Sequence, residues 1–134
     1  EHAQVFDNYY GTTRGQVEAS LAAGQDLILE IDWQGAQQIR RALPECRSIF
    51  ILPPSRAELE RRLRGRGTDA EDVIQRRLRD AATDIAHWTE YDFVVVNDDF
   101  ERALRELHGV VHGRGDASRR NREGLAELVA SLTA

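Results

Sequence analysis

The chain has 134 residues, a formal net charge of −5 and a single cysteine, Cys46. That length suits one domain with one real core, and the acidic balance argues against sequence-independent nucleic-acid binding, which runs on a broad basic surface. One cysteine excludes an internal disulfide framework, no apolar run approaches the ~20 residues of a membrane span, and no signal peptide opens the chain, so a soluble cytoplasmic protein is expected.

Residues 1–15, EHAQVFDNYYGTTRG, read as a loop with Asn8 and Gly11 as turn residues. Gln16 to Ala23 reads as a short helix stopped by Gly24. Leu27 to Ile31 (LILEI) is a nearly continuous apolar run, as expected of a buried parallel strand. Gln34 to Leu43 reads as a helix ending before Pro44, and Arg47 to Leu52 as a strand halted by Pro53 and Pro54.

Capping boxes follow at Ser55 with Glu58 and at Thr68 with Glu71, opening helices over 56–64 and 69–88. Asp92 to Val96 reads as a third buried strand. Asp98 with Glu101 is expected to cap a helix through about Val111, and a last helix covers Leu125 to Leu132. Strands alternating with helices predict an α/β protein with a parallel sheet and right-handed crossovers.

All eighteen basic residues are arginine, and seven of them lie in RRLRGRGTDAEDVIQRRLR, residues 61–79. Helical geometry sorts them. Arg62 stands about 60° from the apolar stripe of Leu59 and Leu63, and Arg77 about 60° from that of Ile74, Leu78, Ala81 and Ile85. Arg61, Arg64, Arg76 and Arg79 point to solvent, where nearby glutamates and aspartates can pair with them. Arg66 sits in a GRGT turn whose glycines allow close approach to a ligand. Three forks from two helices and a turn suit an oligophosphate; a solvated basic face is the other reading.

A second constellation is LEIDWQG, residues 29–35. Ligands of open α/β sheets bind beyond the carboxyl ends of strands, and Glu30 and Asp32 share a strand face by period 2. The two carboxylates could hold magnesium through water or accept N–H donors from a nucleobase. Asp32 also suits a helix N-cap. Glu30 is harder to explain structurally, because an unpaired buried carboxylate is costly. Tyr9, Tyr10 and Thr12 could hold a phosphate or a base edge, or simply form a turn. His108 and His112 have i, i+4 spacing but no third metal ligand, so no protein metal site is expected.

EHAQVFDNYYGTT, LEIDWQGAQQIR, SIFILPPS, RRLRGRGTDAEDVIQRR and VNDD, in this order, resemble bacterial guanylate kinases, P-loop nucleoside monophosphate kinases. The resemblance covers nearly the whole chain and fades after about His112. It implies a three-layer α/β fold and phosphoryl transfer from ATP, with Mg²⁺, to GMP, without nucleic-acid or membrane partners; a homo-oligomer stays open. It implies that residues 1–25 are the remainder of a GMP-binding domain and 26–134 a core, with a mobile lid at about 56–80. Carried onto this chain, Arg62, Arg66 and Arg77 match the catalytic lid arginines, with Arg62 and Arg66 on the ATP phosphates. Glu1 and Thr12 match residues that read guanine, Tyr10 one that holds the GMP phosphate, and Glu30 and Asp32 the acidic pair beside the acceptor. Asn97 and Asp98 match the region near adenine.

Two departures qualify the resemblance. With no lysine, GxxxxGK[ST] cannot occur here, and with no methionine the chain reads as part of a longer protein whose P-loop and first strand precede Glu1. These 134 residues alone are therefore expected to bind ATP poorly and turn over negligibly. Position 30 is glutamate where the family usually has aspartate, which shifts the carboxylate by about 1 Å. A non-catalytic guanylate-kinase-like interaction module is the alternative; such domains typically lose the lid arginines and the acidic pair, both present here.

Overall fold

In the computed structural model, all residues but Phe6, Asp7, Thr68 and Asn121 are described, and among positions 4–10 the backbone only. The chain divides into two compact units, Glu1–Cys46 and Arg47–Ala134.

The first unit opens with an antiparallel hairpin, β1 (His2–Val5) and β2 (Asn8–Gly11), in which His2 faces Gly11 and Ala3 faces Tyr10. The segment expected to be a loop is thus paired. Asn8 and Gly11, read as turn residues, stand opposite Val5 and His2 in the ladder, where backbone pairing orders them. Helix α1 (Arg14–Ala22) follows, with Thr13 Oγ1 accepting the Gln16 amide at 3.4 Å.

Leu27 to Ile31 departs from expectation. These residues join no strand among those described, and Ile28 is 70% exposed. An apolar run becomes a strand only when a neighbour completes its ladder, and none of the described strands pairs with it. Helix α2 (Trp33–Ala42) then begins at an Asp32 N-cap and packs against β1. Gln38 clasps the His2 backbone, accepting its amide at 2.8 Å and donating to its carbonyl at 2.6 Å.

The second unit holds the parallel pair β3 (Ile49–Leu52) and β4 (Phe93–Val96), in register from Ile49 opposite Phe93 to Leu52 opposite Val96. Helices α3 (Arg56–Gly65) and α4 (Glu71–Ile85) and a 3₁₀ turn (Ala86–Glu90) form the crossover between them. Helix α5 (Phe100–Val111) and helix α6 (Leu125–Thr133) follow. Leu52, Val94, Ile85, Leu125, Val129 and Leu132 form the core of this unit. Ser48 fastens the start of the sheet: its amide and hydroxyl both donate to Asp92 Oδ2, at 3.1 and 3.0 Å.

Two caps differ from expectation. Thr68 lies outside the described residues, and α4 starts at Glu71 after Ala70, which makes no side-chain cap. Helix α5 is capped by Asp99, whose carboxylate accepts the Arg102 amide at 3.0 Å, rather than by Asp98. One residue of slip moves the cap because Asp98 is engaged elsewhere, with the Arg102 side chain and the Asp99 amide. The predicted helix over 69–88 ends earlier, at Ile85, where the chain tightens into the 3₁₀ turn.

Candidate active site

The candidate residues fall into two groups, one in each unit. In the first unit the hairpin brings Glu1 and Thr12 together: the Glu1 amino group donates to the Thr12 carbonyl at 2.8 Å, and the Thr12 amide donates back to the Glu1 carbonyl at 3.0 Å. The Glu1 carboxylate lies over Gly35 in the first turn of α2, so close that a Cβ on Gly35 would stand 2.8 Å from Glu1 Oε2. A helix N-terminus favours negative charge. Tyr10 lies on β2, and its side chain is outside the described ones.

Asp32 uses both carboxylate oxygens locally. Oδ1 accepts the Gly35 amide at 3.0 Å, and Oδ2 accepts from Gln34 Nε2 at 2.9 Å. The capping role is therefore realised. Glu30 is exposed rather than buried, so its charge carries no desolvation cost that a partner must offset. The expectation that both carboxylates share one strand face has no support among the described residues, because residues 27–31 are not paired as a strand.

In the second unit Arg62 bridges two elements. Its Nε–H donates to Glu58 Oε1 at 2.8 Å, and Nη2 donates to the Asn97 carbonyl at 2.8 Å, just past the carboxyl end of β4. The Asn97 amide in turn donates to the Leu52 carbonyl at 2.8 Å, continuing the ladder. Two residues implied on the ATP side are thus in direct contact. The Glu58 carboxylate also takes Arg61, and the Glu58 amide donates to the capping Ser55 Oγ at 3.1 Å. Hydrogen bonding to Arg61 foremost, and also to Arg62, holds the Glu58 carboxyl at about 2.

Arg77 pairs with Asp69 at 2.8 Å, each side chain about a quarter exposed. Arg66 terminates α3 and stands exposed; among the described residues it is not hydrogen-bonded or ion-paired through its side chain. Arg62 and Arg77 engage different carboxylates, Glu58 and Asp69. Asp98 pairs with Arg102 one turn into α5, and that contact pulls its pKa below the ordinary value. Arg61 and Arg64, expected on a solvated face, are exposed and paired with glutamates.

From the sequence Glu58 is expected only as the capping-box partner of Ser55, and Asp69 is not singled out. Glu58 was within reach of pattern reasoning, since Glu58 and Arg62 have the i, i+4 spacing of a helical ion pair. Asp69 was not, because its pairing crosses from a turn into the body of α4.

Residues 1–113 match the family model described as Guanylate kinase. The chain is 53% identical over 133 residues to a guanylate kinase of Hydrogenovibrio crunogenus, covering 99% of this chain and 65% of that protein. Against the guanylate kinase of Escherichia coli strain K12 the identity is 51% over 134 residues, again 65% of the relative. Among solved structures, the crystal structure of guanylate kinase from Anaplasma phagocytophilum superposes with a TM-score of 0.71 at 36% identity, over 98% of this chain and 63% of the other. The chain thus spans about 65% of the length of the curated relatives it matches.

Proposed function

Because this chain belongs to the guanylate kinase family, we propose that the protein it represents transfers the γ-phosphoryl group of ATP to GMP, giving ADP and GDP. The observation that supports this best is the position of Arg62. Its guanidinium sits at the carboxyl end of β4, where open α/β sheets receive their ligands. It is held there by one carboxylate and one carbonyl, which leaves donors of its five-hydrogen fork for phosphate oxygens.

In this reading α3, α4 and the turn between them act as the lid, at about residues 56–80. Arg62, Arg66 and Arg77 neutralise charge developing on the transferring phosphoryl once closure has excluded water. Glu1, Thr12 and Tyr10 orient GMP, with Glu30 and Asp32 beside the acceptor, and Asn97 and Asp98 border the adenine. Magnesium enters on the phosphates of ATP, because this ion keeps most of its water and takes few protein ligands. Among the described residues no three carboxylates, imidazoles or thiols gather to cage a metal. No helix among them is long and apolar enough to cross a membrane.

The test is ADP formation by the full-length protein with ATP–Mg²⁺ and GMP, AMP, CMP or UMP in turn, with the 134-residue chain as a control. Turnover with GMP alone, lost in the shorter chain, is the expected result. Turnover with a different acceptor would reassign the substrate. Failure with all four would favour a non-catalytic interaction module of the same family.

A further inference from the structure

We propose that Asp69 is a positioning residue for phosphoryl transfer: its carboxylate draws the Arg77 guanidinium back along α4 to the turn that carries Arg66. The consequence for turnover rests on the kinase reading above; the geometry does not.

Helix α4 begins at Glu71, so the Arg77 backbone stands about 9 Å along the axis from its first residue. Helical side chains lean toward the N-terminus, and Arg77 uses that lean to close to 2.8 Å on Asp69, two residues ahead of the helix. Asp69 lies only three residues from Arg66. Between them Gly67 takes φ +111°, a conformation that bends the chain and that other residues rarely adopt. The carboxylate therefore gathers a helix-borne arginine toward the turn-borne one.

The environment of this pair sets it apart from Arg61 and Arg64 and resembles that of Arg62 and Glu58, at 35% and 24% exposure. Arg61 and Arg64 have side-chain exposures of 72% and 41%, where water competes for the fork. Arg77 and Asp69 are 27% and 28% exposed, and Arg77 borders the buried stripe of Ile74 and Leu78. Partial burial reduces screening, so the carboxylate holds a defined orientation. An arginine fork carries five N–H donors, enough to keep Asp69 and still present a face to a phosphoryl oxygen. Without Asp69, Arg77 loses the carboxylate that draws it back ahead of the helix.

The experiment uses the full-length protein with Asp69→Asn, Asp69→Glu, Arg77→Ala and the double variant D69N/R77A. Steady-state kinetics with ATP–Mg²⁺ and GMP are run beside the heteronuclear NOE of the Arg77 ¹⁵Nε–H group. D69N is expected to lower kcat by about 10²-fold, the scale of a misplaced catalytic group, with KM for GMP nearly unchanged. D69E recovers most of the loss, D69N adds nothing in the R77A background, and the Arg77 NOE drops in D69N. A kcat loss in D69N that is as large without Arg77 as with it would overturn the proposal, as would an unchanged NOE. If the native protein transfers no phosphoryl to GMP, the kinase reading fails on its own, and the NOE still decides whether Asp69 holds Arg77.

Discussion

Arg64 grips both carboxylate oxygens of Glu71, at 2.6 and 2.8 Å, across the joint between α3 and α4. The same guanidinium holds Glu60 on its own helix at 2.8 Å. One arginine thus ties the outer face of the arginine hairpin, leaving Arg62, Arg66 and Arg77 for other work. Glu71 opens α4, where its charge also complements the helix dipole.

This latch has a signature in acid. Hydrogen bonding to Arg64 first, and then to Gln75, holds the Glu71 carboxyl at about 2, and Glu58 is held at about 2 by Arg61 and Arg62. The ordinary value is 4.5, so both groups are depressed in the folded state. Their contribution is fully present above pH 4.5 and is lost as the pH falls toward 2, because the unfolded chain takes up the protons first. Thermal melts should therefore show native protein more stable than E58Q/E71Q near neutrality. The two should converge through that window; parallel melting curves from neutrality to acid would refute the latch.

Gly35 offers a test of the acceptor side. A Cβ there would stand 2.8 Å from Glu1 Oε2, 3.2 Å from Glu1 Cδ and 3.3 Å from Ile31 Cβ. The Glu1 side chain can move aside, but only by leaving its place in the first turn of α2. In the full-length protein G35A should raise KM for GMP about tenfold, a loss of about 1.4 kcal/mol, with a smaller change in kcat. Alanine is the better helix former by about 1 kcal/mol, so the loss would not reflect a weakened α2. An unchanged KM would remove Glu1 from GMP recognition.

Leu132 shows how much the last helix matters to the second unit. It is 2% exposed and packs with Leu52, Ile85, Val94, Leu125 and Val129. L132A should destabilise the fold by about 2–5 kcal/mol, the usual range for a buried leucine truncated to alanine. Urea unfolding monitored by circular dichroism would measure it. A change below about 1 kcal/mol would mean that α6 docks loosely on this cluster.

The helices were legible because their signals are local. Asp32 and Ser55 each accept an amide three residues ahead, and the stripe of Ile74, Leu78 and Ile85 is buried as its spacing predicts. Where a neighbouring side chain competes, the local rule slips by a residue, as at Asp98 and Asp99. The hairpin of β1 and β2 escaped because pairing, unlike capping, depends on a second segment. Leu27 to Ile31 erred in the opposite direction for the same reason: apolar content is a property of the run, a ladder is a property of two.

The candidate site divides along the same line. Residue type and order alone determined which arginines border an apolar stripe, which acids could cap, and that these 134 residues contain no lysine. Only the tertiary structure decided that Arg62 rests on the Asn97 carbonyl, that Arg77 folds back onto Asp69, and that Glu1 lies over Gly35. Periodicity and capping act within a few residues and can be read along the chain. Contacts such as Arg62 to Asn97, 35 residues apart, exist only after folding has met the entropy of closing the loop between them, and no short-range pattern records where that closure brings a side chain to rest.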